Sequence, residues 1–475
     1  MQPATTSSRP ALRRRSRPGA TALLAAALLL LLLSHPLIHG DGVSYLIYLD
    51  SIAADGDLDL SNQVERFAPA IVYPYASSPV TGTPVTPFPF GSAFLLAPLY
   101  YLGRALESAM PALRAHPEHF LKIQGLPLAY GLVSMLGAQI YALASIGLTY
   151  ATARRLAPGW AAALAALGCL AGTPLLYYAT VEPLDAHVYG AFALALAIWL
   201  AARWSTNRQD AKSAMFSDWA HCFAVGLALG LAVLVRWQLL LYAVALGLAL
   251  AWGAGRAKGW RAGLAAGLWV AAGLGLYCAV CALYFWRFFG APLLVPNDVI
   301  TGQTFVGAPL RYLPQVLAAG QNGWLSWSPI AGLGLAGLAG IALGRAGQWR
   351  ALALAGLAGI ALELALNGSI DDWYAGWSFG QRRMTEAYPL LAIGLAWLIG
   401  RGRWGWLIGG AALLCALYGA LLLVAHLYYT HTSGQPGGGG AATVIRWLLT
   451  GPHGPALHEL FRDRYGPWAW AHPEL

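Results

Sequence analysis

The sequence predicts an all-α polytopic membrane protein with about eleven transmembrane helices, and three observations carry that expectation. Of its 475 residues 58% are hydrophobic and only 10% charged, whereas soluble domains lie nearer half apolar and a quarter charged. The apolar residues come in long blocks, such as 20–33 and 220–235, the pattern of a chain whose solvent is the bilayer. Twenty Trp and 22 Tyr supply the aromatic side chains that collect at membrane interfaces. A soluble enzyme, a disordered tail protein and a secreted disulfide scaffold are excluded.

Each element follows from the hydropathy and charge pattern. Residues 1–19 carry Arg9, Arg13, Arg14, Arg15 and Arg17 and precede an apolar run. No small-x-small cleavage site follows the run, so it reads as an uncleaved signal anchor with a cytoplasmic N-terminus. Further spans are expected at 123–153, 158–180, 186–202, 220–236, 238–254, 262–288, 324–343, 351–366, 384–400 and 404–428. Threaded alternately, they place Arg154/Arg155, Arg203/Arg208/Lys212, Arg256/Lys258/Arg261, Arg345/Arg350 and Arg401/Arg403 on the side of the N-terminus, as the positive-inside rule requires.

Phe88–Leu106 is apolar but holds Pro89 and Pro98. As a span it would move every later Arg cluster outside, so it is expected to lie along the outer interface. The first extracytoplasmic loop then covers 39–122. Smaller outer pieces are 289–323, 367–383 and a tail at 429–475, which opens with the Gly-rich stretch 434–440 and continues as an amphipathic segment. No fixed-period repeat is present. The five cysteines lie in or beside apolar spans; Cys278 and Cys281, a lone C-x-x-C within a span, read as packing residues. The basic residues form short clusters between spans rather than one groove-lining face, which excludes nucleic acid as a partner.

The informative polar residues lie on the outer side. Asp41 opens His39-Gly40-Asp41-Gly42-Val43-Ser44-Tyr45 where the first span ends. A partly desolvated carboxylate there is suited to base work; an Asp-Gly turn that merely stops a helix would have the same sequence. Asp55, Asp57, Asp59 and Glu65 read as a solvated acidic stretch. Glu182, Asp185 and His187 open a later span, where ionisable groups are costly and usually face a cavity, although Asp185 could simply cap a helix N-terminus. Arg236 occupies a tight outer turn, and Arg382 and Arg383 close the loop Asp371-Asp372-Trp373-Tyr374-Ala375-Gly376-Trp377-Ser378-Phe379-Gly380-Gln381. A guanidinium fits phosphate oxygens, and near an outer membrane surface the available phosphate belongs to a lipid. Headgroup anchoring is the plainer role for any single Arg. The aromatic and amide groups of the loop are of the kind that line sugar sites.

The order and sidedness of these motifs resemble the C-type (GT-C) superfamily of integral-membrane glycosyltransferases, nearest the protein O-mannosyltransferases and lipid A aminoarabinose transferases. The likeness runs over roughly residues 20–400: Asp41 followed by Tyr45 at the membrane exit, an interfacial helix before the second span, and Asp185 at the outer start of the fourth. Gly42 stands where the commonest family pattern has Glu, and none of Lys122, Lys212 and Lys258 matches a lysine that meets lipid phosphate in some relatives. The long Trp-bearing motif of oligosaccharyltransferases is not found.

The resemblance implies a transmembrane glycosyltransferase domain at 20–428 in a bacterial inner membrane. It would move a sugar from a polyprenyl-phosphate donor to the hydroxyl of a lipid, glycan or protein acceptor, with inversion. Asp41 is then the expected base, with Asp185 and Glu182 orienting the acceptor or Asp41; Arg236, Arg382 and Arg383 meet the donor phosphate; Tyr45, His187, Trp377 and Gln381 contact substrate. No cofactor or metal is expected, with a divalent cation conceivable only if Asp41, Glu182 and Asp185 converge. Two other classes share part of this pattern: a transporter or flippase of lipid-linked sugar would need the arginines but no base, and a non-enzymatic envelope assembly subunit would use the tail for docking.

Overall fold

A computed structural model describes residues 18–34, 40–68, 71, 75–86, 88–110, 128–206, 215–291, 308–344, 348–376, 378–433 and 440–451. The N-terminal Arg cluster, Lys122, Lys212, Arg345, Trp377 and the end of the tail lie outside these residues. The chain is almost wholly helical, as predicted. The first expected span corresponds to α1 (Pro18–Leu33), and a second helix, α2 (Asp41–Ala54), starts at Asp41 inside the region expected as loop. The segment that follows contains α3 (Ser61–Arg66), a two-stranded hairpin of β1 (Ala76–Ser77) and β2 (Pro84–Val85), and α4 (Gly91–Ala109). Helix α4 coincides with the segment assigned to the interface. It carries Pro98 inside and leaves Phe94, Tyr101, Leu102 and Leu106 exposed along one side.

The remaining spans follow in sequence. They are α5 (Leu128–Leu132) with α6 (Ala138–Ala153), α7 (Gly159–Gly172) with α8 (Leu175–Thr180), α9 (His187–Thr206), α10 (Met215–Val235), α11 (Leu240–Lys258) and α12 (Trp260–Phe289). After the short α13 (Leu313–Ala318) and α14 (Trp324–Trp327) come α15 (Ile330–Gly344), α16 (Gln348–Asn367), α17 (Tyr388–Ile399), α18 (Gly405–Ser433) and α19 (Gly440–Thr450). Every span expected from the sequence coincides with helix, but only five are long and apolar enough to cross a membrane by themselves: Asp218–Val235, Trp237–Lys258, Trp260–Phe289, Gln348–Asn367 and Gly405–Tyr428. Four shorter apolar helices accompany them. The segment expected as one span at 158–180 breaks at Thr173-Pro174, since proline lacks the N–H that would continue α7.

Small residues set the packing. Helices α15 and α17 cross where Gly337 meets the backbone of Gly394, and α10 meets α12 where Gly226 faces the Val270 backbone and Gly273 the backbone of Phe223 and Leu227. Between apolar helices in lipid, such close backbone approach supplies the dispersion contact that holds the pair. Exposed Leu and Trp on α12 and α18, such as Leu268, Leu283, Trp286 and Leu414, form the outward faces such a bundle turns to acyl chains.

Helix α2 differs from all of these. Residues 42–51 are buried on every side, and its polar groups tie the outer loop together. Tyr48 Oη bonds the Phe88 carbonyl at 3.1 Å and lies 3.1 Å from Tyr284 Oη of α12. Asp50 accepts from Arg66 at 2.7 Å, from Tyr100 at 2.8 Å and from Tyr130. The hairpin is pinned where Ser78 Oγ donates to the Phe288 carbonyl.

The small-residue crossing gives a controlled test. Gly337→Val drives a side chain into the Gly394 carbonyl and should destabilise the fold by about 1–3 kcal/mol, the usual cost of overpacking. Gly332→Val on the same helix enters open space and should leave the thermal unfolding midpoint in detergent unchanged; equal midpoints for the two variants would rule out this packing.

Candidate functional site

The neighbouring ends of α2, α8, α9 and α10 and the loop before α17 converge on one polar cluster. Each contributor is placed by local backbone features. Gly40 supplies φ 58° immediately before α2, a value that favours glycine, and so turns the chain to start the helix at Asp41. Tyr45 lies one turn further on the same face. Glu182 and Asp185 occupy the short connection between α8 and α9, with the Asp185 N–H bonding back to the Glu182 carbonyl at 3.2 Å. Arg236 is the single extended residue between α10 and the 3-10 turn Trp237–Leu239.

The 371–381 loop is held by buried bonds to its own backbone. Arg383 donates to the Asp372 carbonyl at 2.6 Å and to its carboxylate at 2.7 Å. Gln381 Nε2 donates to the Trp373 carbonyl at 2.9 Å, and Asn322 to the Tyr374 carbonyl at 2.9 Å. Phe379 stacks on Tyr177 of α8 with ring centroids 4.8 Å apart, which docks the loop beside Glu182. This scaffold fixes a left-handed Ala375 at φ 62°, a conformation that needs such support in a residue with a Cβ. It then delivers Arg382 from the 3-10 segment Arg382–Ala387.

Arg382 is the centre of the cluster. Its Nη1 lies 2.6 Å from Asp41 Oδ2 and 3.7 Å from Asp185 Oδ2, with the arginine side chain 19% exposed. Burial pushes the Glu182 carboxyl up to about 7, with Arg382 pulling it down and Asp41 adding to the rise. Burial likewise raises Asp185 well above the ordinary carboxylate range, helped by the charges of Glu182 and Asp41. The structure therefore brings together Asp41, Glu182, Asp185 and Arg382, with Tyr45 packed on Phe88 beside them. Within this group the positive charge facing the three acids is a guanidinium. Among the described residues no group of three or more His, Cys, Asp and Glu is arranged to hold a metal ion; the Arg382 guanidinium lies between Asp41 and Asp185.

Three nominated residues are enclosed within the protein. Gln381 is fully buried and Arg383 nearly so, and their recorded bonds go to the loop itself. His187 is 1% exposed, with Nδ1 3.0 Å from Glu386 Oε1 and the Tyr178 ring at 4.3 Å. Trp377 lies outside the described residues. Sequence reasoning missed Glu386, which pairs with Arg236 at 3.0 Å, because it falls inside the segment expected as a span. Its signal was available: an acidic residue in a span normally has a buried partner and a role. Glu363, bonded by Tyr242 at 2.5 Å inside the bundle, was missed for the same reason.

Gly42 also acquires an explanation. A Cβ there would sit 2.8 Å from Leu184 Cβ. Helix α2 is thus packed directly against the 182–185 connection, in the space that a Glu side chain at this position would need, and this close approach lets Asp41 and Asp185 share one arginine.

No protein-family profile and no curated protein matches the sequence. Among solved structures the chain is similar to ArnT from Cupriavidus metallidurans bound to undecaprenyl phosphate, at TM-score 0.51 and 16% identity over 96% of this chain and 78% of that one. It is also similar to the Archaeoglobus fulgidus oligosaccharyltransferase tethered to an acceptor peptide, at TM-score 0.51 and 14% identity over 94% of this chain and 59% of that one. The chain therefore shares the polytopic helical fold of these two structures.

The raised Glu182 carboxyl has a signed consequence. In the unfolded chain it titrates near 4.5 and in the fold near 7, so its contribution to stability is full below the lower value and is lost as pH rises through the upper one. Thermal unfolding of wild type and Glu182→Gln between about pH 5 and about pH 8 should show wild type losing stability relative to the variant as pH rises. A gap independent of pH would contradict the burial of this carboxyl.

Proposed function

We propose that the protein is a membrane glycosyltransferase that moves a sugar from a polyprenyl-phosphate donor to an acceptor hydroxyl at the extracytoplasmic face, with inversion. The observation that carries this reading is the Asp41–Arg382–Asp185 cluster: a membrane-exit carboxylate held 2.6 Å from a guanidinium at the junction of five outer segments. The GT-C fold shared with a structure holding undecaprenyl phosphate supports a lipid-phosphate donor, and nucleotide sugars are not available outside the cytoplasm.

In this reading the acceptor oxygen attacks the anomeric carbon while the bond from that carbon to the phosphate oxygen breaks. The hydroxyl proton passes to Asp41, and polyprenyl phosphate leaves with the bonding pair. Arg382 and Arg236 offset the charge gathering on the phosphate. A donor phosphate reaching Arg382 competes with Asp41 for Nη1, and the carboxylate released from that pair is freed for base work. Asp185 keeps the other side of Arg382, and Glu182, carrying its proton over part of the neutral range, offers a hydroxyl donor to the acceptor or to Asp41. Arg383, Gln381 and His187 support the reaction by holding the loop and the cluster rather than by touching the sugar. The acceptor is a lipid, glycan or protein hydroxyl, and the membrane is the bacterial inner membrane.

The test is sugar transfer in membrane vesicles supplied with a panel of radiolabelled polyprenyl-phosphate sugars, with label followed into lipid, glycan and protein. Asp41→Asn should lower transfer by about 10²-fold or more while the protein stays folded. Movement of lipid-linked sugar across the bilayer at equal rates in both proteins, with no label transferred, would instead establish a transporter.

A further inference from the structure

We propose that Glu386, with His187, is a positioning residue that fixes the direction in which Arg236 presents its guanidinium to a phosphate oxygen. The proposal rests on the transferase reading above and assigns the three outer arginines different tasks.

Arg383 is committed to Asp372 through both of its terminal nitrogens, and Arg382 lies between Asp41 and Asp185. Arg236 is held by a carboxylate on one side and an imidazole on the other. Its Nε lies 3.0 Å from Glu386 Oε1, and its Nη1 lies 3.2 Å from both Nδ1 and Nε2 of His187. A point that close to both ring nitrogens cannot lie in the imidazole plane without striking the carbon between them. The guanidinium therefore lies over the face of the ring. Tyr178 packs against His187 as well, so the imidazole is a wedge between an aromatic ring and the arginine.

One carboxylate oxygen fixes both members of the pair. Glu386 Oε1 is 3.0 Å from His187 Nδ1 as well as from Arg236 Nε, so one oxygen contacts both members of the pair. The space for this carboxylate is built into the sequence. Gly190, one turn beyond His187, has no side chain, and a Cβ there would come within 2.8 Å of Glu386 Cγ. Nη2 is left without a partner among the described residues and is the one terminal nitrogen that neither Glu386 nor His187 occupies.

Exposure separates the roles. The side chains of Glu386 and His187 are 0% and 2% exposed, whereas that of Arg236 is 11% exposed. Neither supporting group is open to a ligand from outside, so any effect they have on phosphate must pass through the arginine. A guanidinium whose Nε is in ionic contact with Glu386, without a hydrogen bond there, and whose Nη1 lies over the imidazole is restricted before a ligand arrives, and the charge-assisted bond it then makes costs less further ordering.

The experiment measures binding of undecaprenyl phosphate to the full chain in nanodiscs, with thermal unfolding as a folding check. Glu386→Gln keeps the shape and removes the charge; it should weaken binding on the order of tenfold, the value of one misdirected charge-assisted bond. Glu386→Asp should recover most of the loss. In an Arg236→Ala background Glu386→Gln should add nothing, because its effect passes through Arg236. Losses that add in the double variant, or wild-type binding by Glu386→Gln, would overturn the positioning role. If Glu386→Gln does not fold, His187→Gln carries the same cycle with the same criterion. A wild-type protein that fails to bind undecaprenyl phosphate would overturn the transferase reading itself, and the proposal with it.

Discussion

Burying Arg382 against Asp41 and Asp185 imposes a constraint that the outer half of the molecule has to satisfy. Ions taken out of water each carry a penalty of several kcal/mol, offset only when opposite charges meet in good geometry. Asp41 and Arg382 are 341 residues apart in the chain, so that geometry requires α2, the α8–α9 connection and the loop before α17 to be rigid separately and then brought together. The bonds of Asp50 and Tyr48 fix α2, the stacking of Phe379 on Tyr177 docks the loop, and the bare Gly42 allows the last approach. Each is a local device whose value lies in where it delivers a charge.

The second ion group obeys the same logic one layer deeper. Arg236, Glu386 and His187 form a compact unit in which a single oxygen, Glu386 Oε1, serves two nitrogens. Together with Arg382 and its acids, this gives two arginines whose orientations are set by different partners. One is paired with carboxylates that take part in the proposed chemistry, and the other with groups too buried to do so.

Much of this was legible before any coordinates. Long apolar blocks located helices, five of which among the described residues are long and apolar enough to cross a membrane, and Phe88–Leu106 overlaps α4. Asp41, Asp185, Arg236 and Arg382 stood out because ionisable residues at span ends are few and costly. The rest depended on contacts that no local pattern encodes. Hydropathy averaged Glu386 and Glu363 into apolar segments, although each is a buried acid with a specific partner. Helix α2 was hidden inside a region read as loop, since a helix buried on all sides has no amphipathic period to betray it. Gln381 and Arg383 were recognised as unusual, but sequence could not distinguish groups facing a substrate from groups holding the loop.

The Ser78 bond to the Phe288 carbonyl and the Asp41–Arg382 pair also bear on how the molecule comes into being. A membrane chain emerges N-terminus first, so the outer loop that carries Asp41 is synthesised long before α12 and far ahead of Arg382. Contacts of such sequence separation form late, because the intervening chain must be in place before they can be rewarded. Until then Asp41 and Asp185 wait as unneutralised charges that water must solvate. The cluster around Arg382 is thus completed late, and a nascent chain released short of residue 382 would carry these acids without the cation that pairs with them.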